Sequence, residues 1–398
     1  MAGTSKLLHV LGGGQWQLPT IELARSMGYR VLVTDMYQER PAYALADLHE
    51  VVDLTDAEGT LQAARRHGID GIVCDTTDVG VPTMAYVAEA LGLPGIGREA
   101  AQRFTDKYLM RKLTAAAGIQ SVRHYLVGCL EDLVAGAAAI GYPVVVKPAD
   151  NQSSRGVHRV DGPAGLAAAW ADARRFTRQP TVLVEEFLRG TEITVEGLMM
   201  GGQYHTLAIS DKDHFPHRPE VANRLTYPGA FDERVLQTIR ATNEAVVRTL
   251  GLPTGVTHAE YMVDGGRVAL VEIAARGAGS FVYSHIAPHV SGIDAPRLYL
   301  QFVMGETPAV TDPGSRRAAN LEFFSFPAGR VTEIRGVEEA RALPGVAKIL
   351  LEFGVGDELR PPEDDRSRPG LMVVLGDTRA QVLATSAEVK RTVRVEVA

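Results

Sequence analysis

Two carboxylates set into otherwise apolar strands are where chemistry is most legible in this chain. In Gly255-Val-Thr-His-Ala-Glu-Tyr-Met-Val-Asp-Gly-Gly-Arg-Val-Ala-Leu-Val-Glu-Ile-Ala-Ala-Arg276, the acids Glu260 and Glu272 interrupt runs that otherwise read as buried β-structure. An isolated buried carboxylate is costly, so a cation is its natural partner, and a pair of them suits Mg²⁺ holding nucleotide phosphates. Alternation places His258, Glu260 and Met262 on one face of the first strand, and Val268, Leu270, Glu272 and Ala274 on one face of the second. If Asp264-Gly265-Gly266 is a three-residue turn, Val263 pairs with Arg267 and Glu260 lies opposite Leu270. Glu272 then sits diagonally from Glu260, within reach of a shared ion. The plainer alternative is two solvated acids on an edge hairpin.

Four features precede this hairpin. They are Lys107 on a helix, Lys147 ending an apolar strand, the polar loop Asp150-Asn-Gln-Ser-Ser-Arg-Gly156, and the acidic segment Val184-Glu-Glu-Phe-Leu-Arg-Gly-Thr-Glu192. A helical lysine is usually solvated and such a loop is usually only a turn. Lys147 differs, because an ammonium directly after four apolar residues is partly desolvated and needs an anion.

The elements that must position these residues follow from periodicity and breakers. Strand 7–11, a Gly12-Gly13-Gly14 turn, helix 18–27, strand 29–34, a short helix at 40–46, strand 50–53, helix 58–67, strand 71–74 and helix 81–91 form a doubly wound parallel sheet. Gly12-Gly-Gly-Gln-Trp-Gln17 imitates a dinucleotide fingerprint with Asp35 as the ribose acid, but Gln17 occupies the third glycine position. Gly92–Gly97 reads as a domain boundary. A helix over 98–117 follows, then strands and helices to 185 that read as a mobile lid over 120–185, an antiparallel sheet, and helix 233–250. The organisation expected is an N-terminal doubly wound unit (1–97), a central α+β domain (98–310) and a smaller C-terminal α+β region (311–398), an α/β class overall. The segment 211–227, with His214, His217 and Arg218, reads as a loop wall for an anionic substrate, and 361–369 as an exposed loop.

Bulk properties narrow the classes further. With 398 residues the chain predicts two or three domains, and 48 acidic against 41 basic side chains give a net charge of −7. Nothing in that balance calls for nucleic acid or an anionic membrane, and no apolar run has the length of a membrane span. The two cysteines, Cys74 and Cys129, have no companions at zinc-ligand spacing and suggest a reduced, cytoplasmic protein. A homodimer is left open.

Taken in order, these features resemble the ATP-grasp superfamily of carboxylate-amine ligases over residues 98–310, with a preceding α/β unit and a C-terminal region that also match that architecture. The resemblance implies ATP and Mg²⁺ as cofactors. Lys107 and Lys147 would contact the phosphates, and Gln152, Ser153, Ser154, Arg155 and Gly156 would close over them through backbone N–H groups. Glu185, Glu186, Phe187 and Leu188 would form the adenine hinge, Glu192 would bind the ribose, Glu260 and Glu272 would hold Mg²⁺, and Arg276 would face the γ-phosphate or the activated carboxylate. One departure is plain: the family's Glu-x-Asn-x-Arg has Ala274 at the asparagine position, which removes a metal ligand.

Gly255-Val-Thr-His258-Ala-Glu260, Glu272-Ile-Ala-Ala-Arg276, Asp211-Lys212 and Tyr227-Pro228 are similar to the branch containing bacterial L-amino-acid (dipeptide) ligases and related natural-product ligases. This implies small-molecule carboxylate and amine substrates, amino acids among them, joined through an acyl phosphate with release of ADP. His258 would reach the active site, or else be satisfied by a backbone carbonyl. A bicarbonate-dependent ATP-grasp carboxylase, a non-catalytic ATP-binding protein and a Rossmann oxidoreductase are the competing expectations.

Overall fold

The computed structural model describes residues 5–119, 122–150, 155–315 and 317–398. Its N-terminal unit runs β1 (Leu7–Leu11), α1 (Leu18–Ser26), β2 (Arg30–Asp35), β3 (Leu48–Val51), α2 (Ala57–His67), β4 (Gly71–Val73) and α3 (Val81–Leu91). All pairings in this sheet are parallel, in the order β3-β2-β1-β4. The continuous apolar run of β1 is buried along its whole length, as a central parallel strand covered on both faces must be. Asp56 caps α2 by accepting from the Gly59 N–H, and glycines in the left-handed region, Gly68 and Gly92, end α2 and α3. The expected helix at 40–46 is only a 3₁₀ turn over Pro41–Ala44. The consequence for function is geometric, since Gly12–Gly14, Asp35 and Thr76–Asp78 all emerge at the carboxyl edge of the sheet.

The sequence reads 98–117 as one helix, but the structure divides it into α4 (Arg98–Arg103) and α5 (Lys107–Ala116). Asp106 is the cause: its carboxylate accepts from the Leu109 N–H and starts a new helix, making Lys107 its first residue. Lys107 and Arg111 then lie one turn apart on a buried face. Next come β5 (His124–Val127), α6 (Leu130–Ile140), β6 (Val144–Pro148), β7 (His158–Val160), α7 (Leu166–Arg175) and β8 (Val182–Glu186). These strands form an antiparallel sheet ordered β5-β8-β6-β7 whose helices cover it with a separate apolar cluster including Leu133, Val146, Leu166 and Val184.

The large sheet begins with β9 (Thr191–Met200), β10 (Gln203–Phe215) and β11 (Arg218–Tyr227), then α8 (Glu233–Leu250), β12 (Gly255–Asp264) and β13 (Arg267–Ala274). Two short helices follow, α9 (Ala287–Ser291) and α10 (Ala295–Val303). The chain ends with β14 (Ala318–Phe323), β15 (Gly329–Arg335), α11 (Val337–Arg341), β16 (Val346–Leu351), β17 (Glu358–Leu359), β18 (Gly370–Gly376), α12 (Arg379–Thr392) and β19 (Arg394–Val397). The order β13-β12-β9-β10-β11-β14-β18-β16 carries the sheet without a break from the carboxylate hairpin into the C-terminal region. Residues 211–227, expected as a loop, are therefore mostly the two paired strands β10 and β11. Among the described residues no helix is long and apolar enough to cross a membrane.

The hairpin register differs from the expected one. Asp264 pairs with Arg267, so the turn is the two residues Gly265 and Gly266, both at positive φ, as a tight hairpin turn requires. With regular pairing that turn would set Glu260 opposite Val271 and send Glu272 to the other face. A bulge at Val271 corrects this, and Glu260 pairs directly with Glu272. Val268 and Leu270, expected on the face of Glu272, are instead buried in the core beneath it.

A polar network anchors that core to α8. Tyr261 donates to Asn243 Oδ1 at 2.8 Å, Asn243 donates to the Tyr204 hydroxyl, and that hydroxyl lies 2.9 Å from Thr257 Oγ1. Replacing Asn243 by Ala leaves the buried Tyr261 hydroxyl without its acceptor and Tyr204 with Thr257 alone, so Asn243→Ala is expected to lower the free energy of unfolding by about 1–3 kcal/mol, measured by urea denaturation.

Candidate functional site

A cavity of about 1490 Å³ lies between the carboxyl edge of the N-terminal sheet, the sheet of β5 to β8 and the large sheet. On one wall Lys147, from β6, and Arg111, from α5, both buried, share one carboxylate. Lys147 Nζ is 2.6 Å from Glu185 Oε2 and Arg111 Nε is 2.8 Å from Glu185 Oε1. Arg111 also donates to the Val271 carbonyl at 2.6 Å, while its Nη1 is buried with no partner. Burial by itself would raise the Glu185 pKa, but Arg111 and Lys147 outweigh it and hold the carboxyl at about 2. Lys147 moves the other way from an ordinary ion-paired lysine: burial lowers its pKa, and Arg111 opposes the help that Glu185 gives. Two cations on one acid leave a local excess of positive charge facing the cavity, which an anionic ligand would relieve.

On the hairpin, Glu260 and Glu272 share a face because they are direct partners, and both line the cavity. Each is met by a lysine: Lys107 Nζ lies 2.5 Å from Glu272 Oε1, and Lys212 Nζ lies 2.9 Å from Glu260 Oε1. Among the described residues no group of three or more acids, histidines or cysteines is arranged to hold a metal unaided. The two carboxylates nevertheless suit Mg²⁺, which binds through one or two protein carboxylates and takes phosphate and water for the rest. Ala274, opposite His258, offers no further ligand.

The next rows on the same face are charge-complementary across strands. Lys212 on β10 also pairs with Glu192 on β9 at 2.6 Å, and His214 Nε2 lies 2.7 Å from the other Glu192 oxygen. His258 is not satisfied by a backbone carbonyl: its Nδ1 is 2.9 Å from Glu196 Oε1, and its Nε2 is 3.8 Å from Glu260. Burial lowers the His258 pKa, but the Glu196 carboxylate more than compensates and raises it to about 9. Arg276 is fully engaged, with Nε and Nη2 on the two oxygens of Asp78 at 2.7 and 3.0 Å and Nη1 on the Gly277 carbonyl. This fork ties the N-terminal sheet to the end of β13.

The remaining expected residues are distributed as follows. Glu186 turns away from Lys147 and is held by Arg123 and Arg267, while Phe187 carries the Arg159 guanidinium 4.5 Å above its ring and Leu188 lines the cavity. Gln152, Ser153 and Ser154 lie outside the described residues. Arg155 lines the cavity, whereas Gly156 is buried at φ +70°, where a Cβ would meet Phe176, Ala173 and Pro148 within 3.2 Å. Asp35, the would-be ribose acid, accepts from the Gly13 and Tyr37 N–H groups and faces Arg40. The segment 361–369 is a cavity wall as well as a surface loop, through Asp365, Arg366 and Arg368. His217 and Arg218 make contacts to the carbonyls of Pro362 and Glu363 behind it. Asp78, Arg111, Glu196 and Lys212 were not expected in the site. Arg111 had a signal in its spacing of four from Lys107, while Asp78 had none, being brought in by a separate sheet.

Residues 140–284 match the model of the ATP-grasp domain, and residues 322–398 match L-amino acid ligase C-terminal domain 2. A formate-dependent phosphoribosylglycinamide formyltransferase of Parasynechococcus marenigrum is 28% identical over 396 residues, 98% of each chain. Dapdiamide A synthase of Enterobacter agglomerans is 28% identical over 307 residues, 72% of this chain and 70% of that protein. The fold is that of an L-amino acid ligase from Bacillus licheniformis, with a TM-score of 0.83, 23% identity and 99% of each chain covered.

The shared carboxylate makes a pH prediction. Because the folded pKa of Glu185 lies below its unfolded value, its contribution to stability is present above about pH 4.5 and is lost as pH falls toward 2. Glu185→Gln removes it and leaves Lys147 and Arg111 buried without a counter-charge, an expected loss of about 3–5 kcal/mol at neutral pH. Denaturant unfolding from pH 7 to pH 3 should show a flatter acid limb in this variant than in the wild type.

Proposed function

We propose that this chain, a member of the ATP-grasp ligases through its ATP-grasp and L-amino acid ligase C-terminal domains, joins a carboxylate to an amine through an acyl phosphate. The observation that carries this reading is the convergence of Lys147–Glu185–Arg111, Lys107–Glu272, Glu260–Lys212 and Arg276–Asp78 on one cavity. ATP and Mg²⁺ are the partners whose charges fit it. The triphosphate would take Lys107 and Lys147, while Glu272 and Glu260 would hold the cation. Mg²⁺ held there would supply charge to offset that developing on the transferring phosphoryl group.

A carboxylate alone does not react with an amine, because oxide is a very poor leaving group. A carboxylate oxygen attacks the γ-phosphorus, the bond to the β-phosphate oxygen breaks, and ADP leaves. The amine nitrogen then attacks the acyl carbon, the C–O bond to phosphate breaks, and the amine proton is lost. No side-chain nucleophile is required. The protein supplies orientation and fixed positive charge through Lys107, Lys147 and Arg276, and His258 steadies the Glu260 carboxylate from 3.8 Å. Arg155 sits on the loop expected to close over the phosphates, and Glu186, Phe187 and Leu188 at and just beyond the end of β8, on the hinge expected to edge the adenine. Glu192, held by Lys212 and His214, faces the cavity where a ribose would lie.

In this reading residues 1–97, 98–310 and 311–398 are the preceding unit, the ATP-grasp domain and the C-terminal region, and 120–185 form the closing lid. Excluding water from the acyl phosphate is the lid's chemical purpose. The match over 322–398 to an L-amino acid ligase domain favours amino acids as substrates. Formate or bicarbonate as the acid is the second reading, favoured by the formyltransferase relative.

A pairwise screen of amino acids for ADP release, with mass detection of products, tests the assignment. ADP and orthophosphate are expected in a one-to-one ratio with a dipeptide, because the cations surround the terminal phosphate and present the γ-phosphorus. Stoichiometric AMP would overturn the mechanism, and ADP release dependent on bicarbonate or formate alone would move it to the second reading. Lys147→Ala should weaken ATP binding by about 10- to 100-fold, the effect of losing a charge-assisted contact, as read by calorimetry.

A further inference from the structure

Arg40 plays no part in the nucleotide site, yet it lines the same cavity. It stands on the far side of β1 from Asp78 and Arg276, because the sheet order places β2 and β4 on opposite flanks of β1. Two strand spacings, about 10 Å, separate β2, which leads to Asp35 and Arg40, from β4, which leads to the Asp78 segment. Its guanidinium is fixed from two sides: Nε lies 3.0 Å from Asp35 Oδ1, and the Tyr37 ring lies 4.2 Å from the guanidinium carbon. Asp35 cannot swing away, since the Gly13 and Tyr37 N–H groups both donate to it. The Nε contact is too poorly angled to be a hydrogen bond, and no described residue accepts from the terminal nitrogens. By contrast, the Arg276 fork is filled by Asp78 and Gly277, and Arg368 is occupied by Asp365, the Ala222 carbonyl and the Phe323 ring. Arg40 therefore presents a rigid, open fork to the cavity.

Beside it is an apolar ledge that the fold leaves uncovered. Met36 is 51% exposed and Tyr37 53%, and both line the cavity. Large apolar side chains are seldom left bare inside a polar cavity unless a ligand covers them.

We propose that Arg40 binds the carboxylate of the amine substrate and that Met36 and Tyr37 receive that substrate's side chain, so the amine is supplied by an apolar α-amino acid. This rests on the ligase reading, which has two substrates. The carboxylate to be activated must lie at the phosphoryl site by Arg276, on the other flank of β1, so the anion that Arg40 takes belongs to the attacking amino acid. A planar fork pairs with a carboxylate through two parallel hydrogen bonds, which also fixes the direction of the α-amine. The product would keep a free carboxyl terminus.

The test is equilibrium binding, which does not depend on turnover and so fails separately from the ligase assignment. Full-length protein saturated with a non-hydrolysable ATP analogue and Mg²⁺ is titrated calorimetrically with L-leucine, L-leucinamide and glycine. Wild type is expected to favour leucine over leucinamide by about tenfold or more, the usual effect of one charge-assisted pair. Arg40→Gln should abolish that discrimination, and Arg40→Lys should restore part of it, since the charge returns without the fork. The variant Met36→Ala should lose most of the preference for leucine over glycine. Absence of leucine binding, a leucine preference over leucinamide that survives in Arg40→Gln, or an unchanged leucine-to-glycine ratio in Met36→Ala would overturn the proposal.

Discussion

The direct pairing of Glu260 with Glu272 is the constraint on which the site depends. A side chain in a strand has only two faces available, so a shift of one residue in β13 would have placed Glu272 in the core beside Leu270. The two-glycine turn by itself enforces that unfavourable register. The bulge at Val271 reverses it, and the Val271 carbonyl accepts from Arg111. The same irregularity that aims Glu272 into the cavity is thus bonded to the helix that carries Lys107, so the acid and its lysine are positioned together.

Nearly every charge in the cavity has a counter-charge within the protein. Lys107 meets Glu272, Lys212 bridges Glu192 and Glu260, His258 meets Glu196, and Arg276 meets Asp78. Desolvated charges require such pairing, because an unpaired buried ion costs several kcal/mol or so. Exchange of partners then becomes the natural mode of binding: a magnesium triphosphate brings both signs and can replace internal pairs with external ones. Lys147 and Arg111, two cations on one acid, are where the internal pairing is least complete.

The three regions are joined by structure that the site also uses. The large sheet continues from β13 to β16, so the C-terminal strands share a hydrogen-bonded ladder with the strands that carry Glu192, Lys212 and Glu260. The N-terminal sheet is linked to β13 by the Arg276–Asp78 fork. The segment with β5 to β8 differs in keeping its own apolar cluster and its own sheet, which is the construction expected of a part that moves as a body.

The sequence by itself determined the alternation of elements in the first 97 residues, the apolar strand delivering Lys147, the hairpin with its two acids, and the lack of a polar side chain at Ala274. These are local properties: periodicity, breakers and side-chain chemistry are written where they act. The restart of a helix at Lys107 is likewise local, being set by the capping side chain of Asp106. Only the tertiary structure decided that residues 211–227 are mostly strands, since local propensity is weak there and packing settles it. The bulge was equally hidden, since Val271 is apolar and suits either face of a strand. The partners of the charged groups lay furthest from view. Asp78 is 198 residues from Arg276 and Glu185 is 74 from Arg111, and no spacing rule links side chains that meet only when separate sheets pack around one cavity.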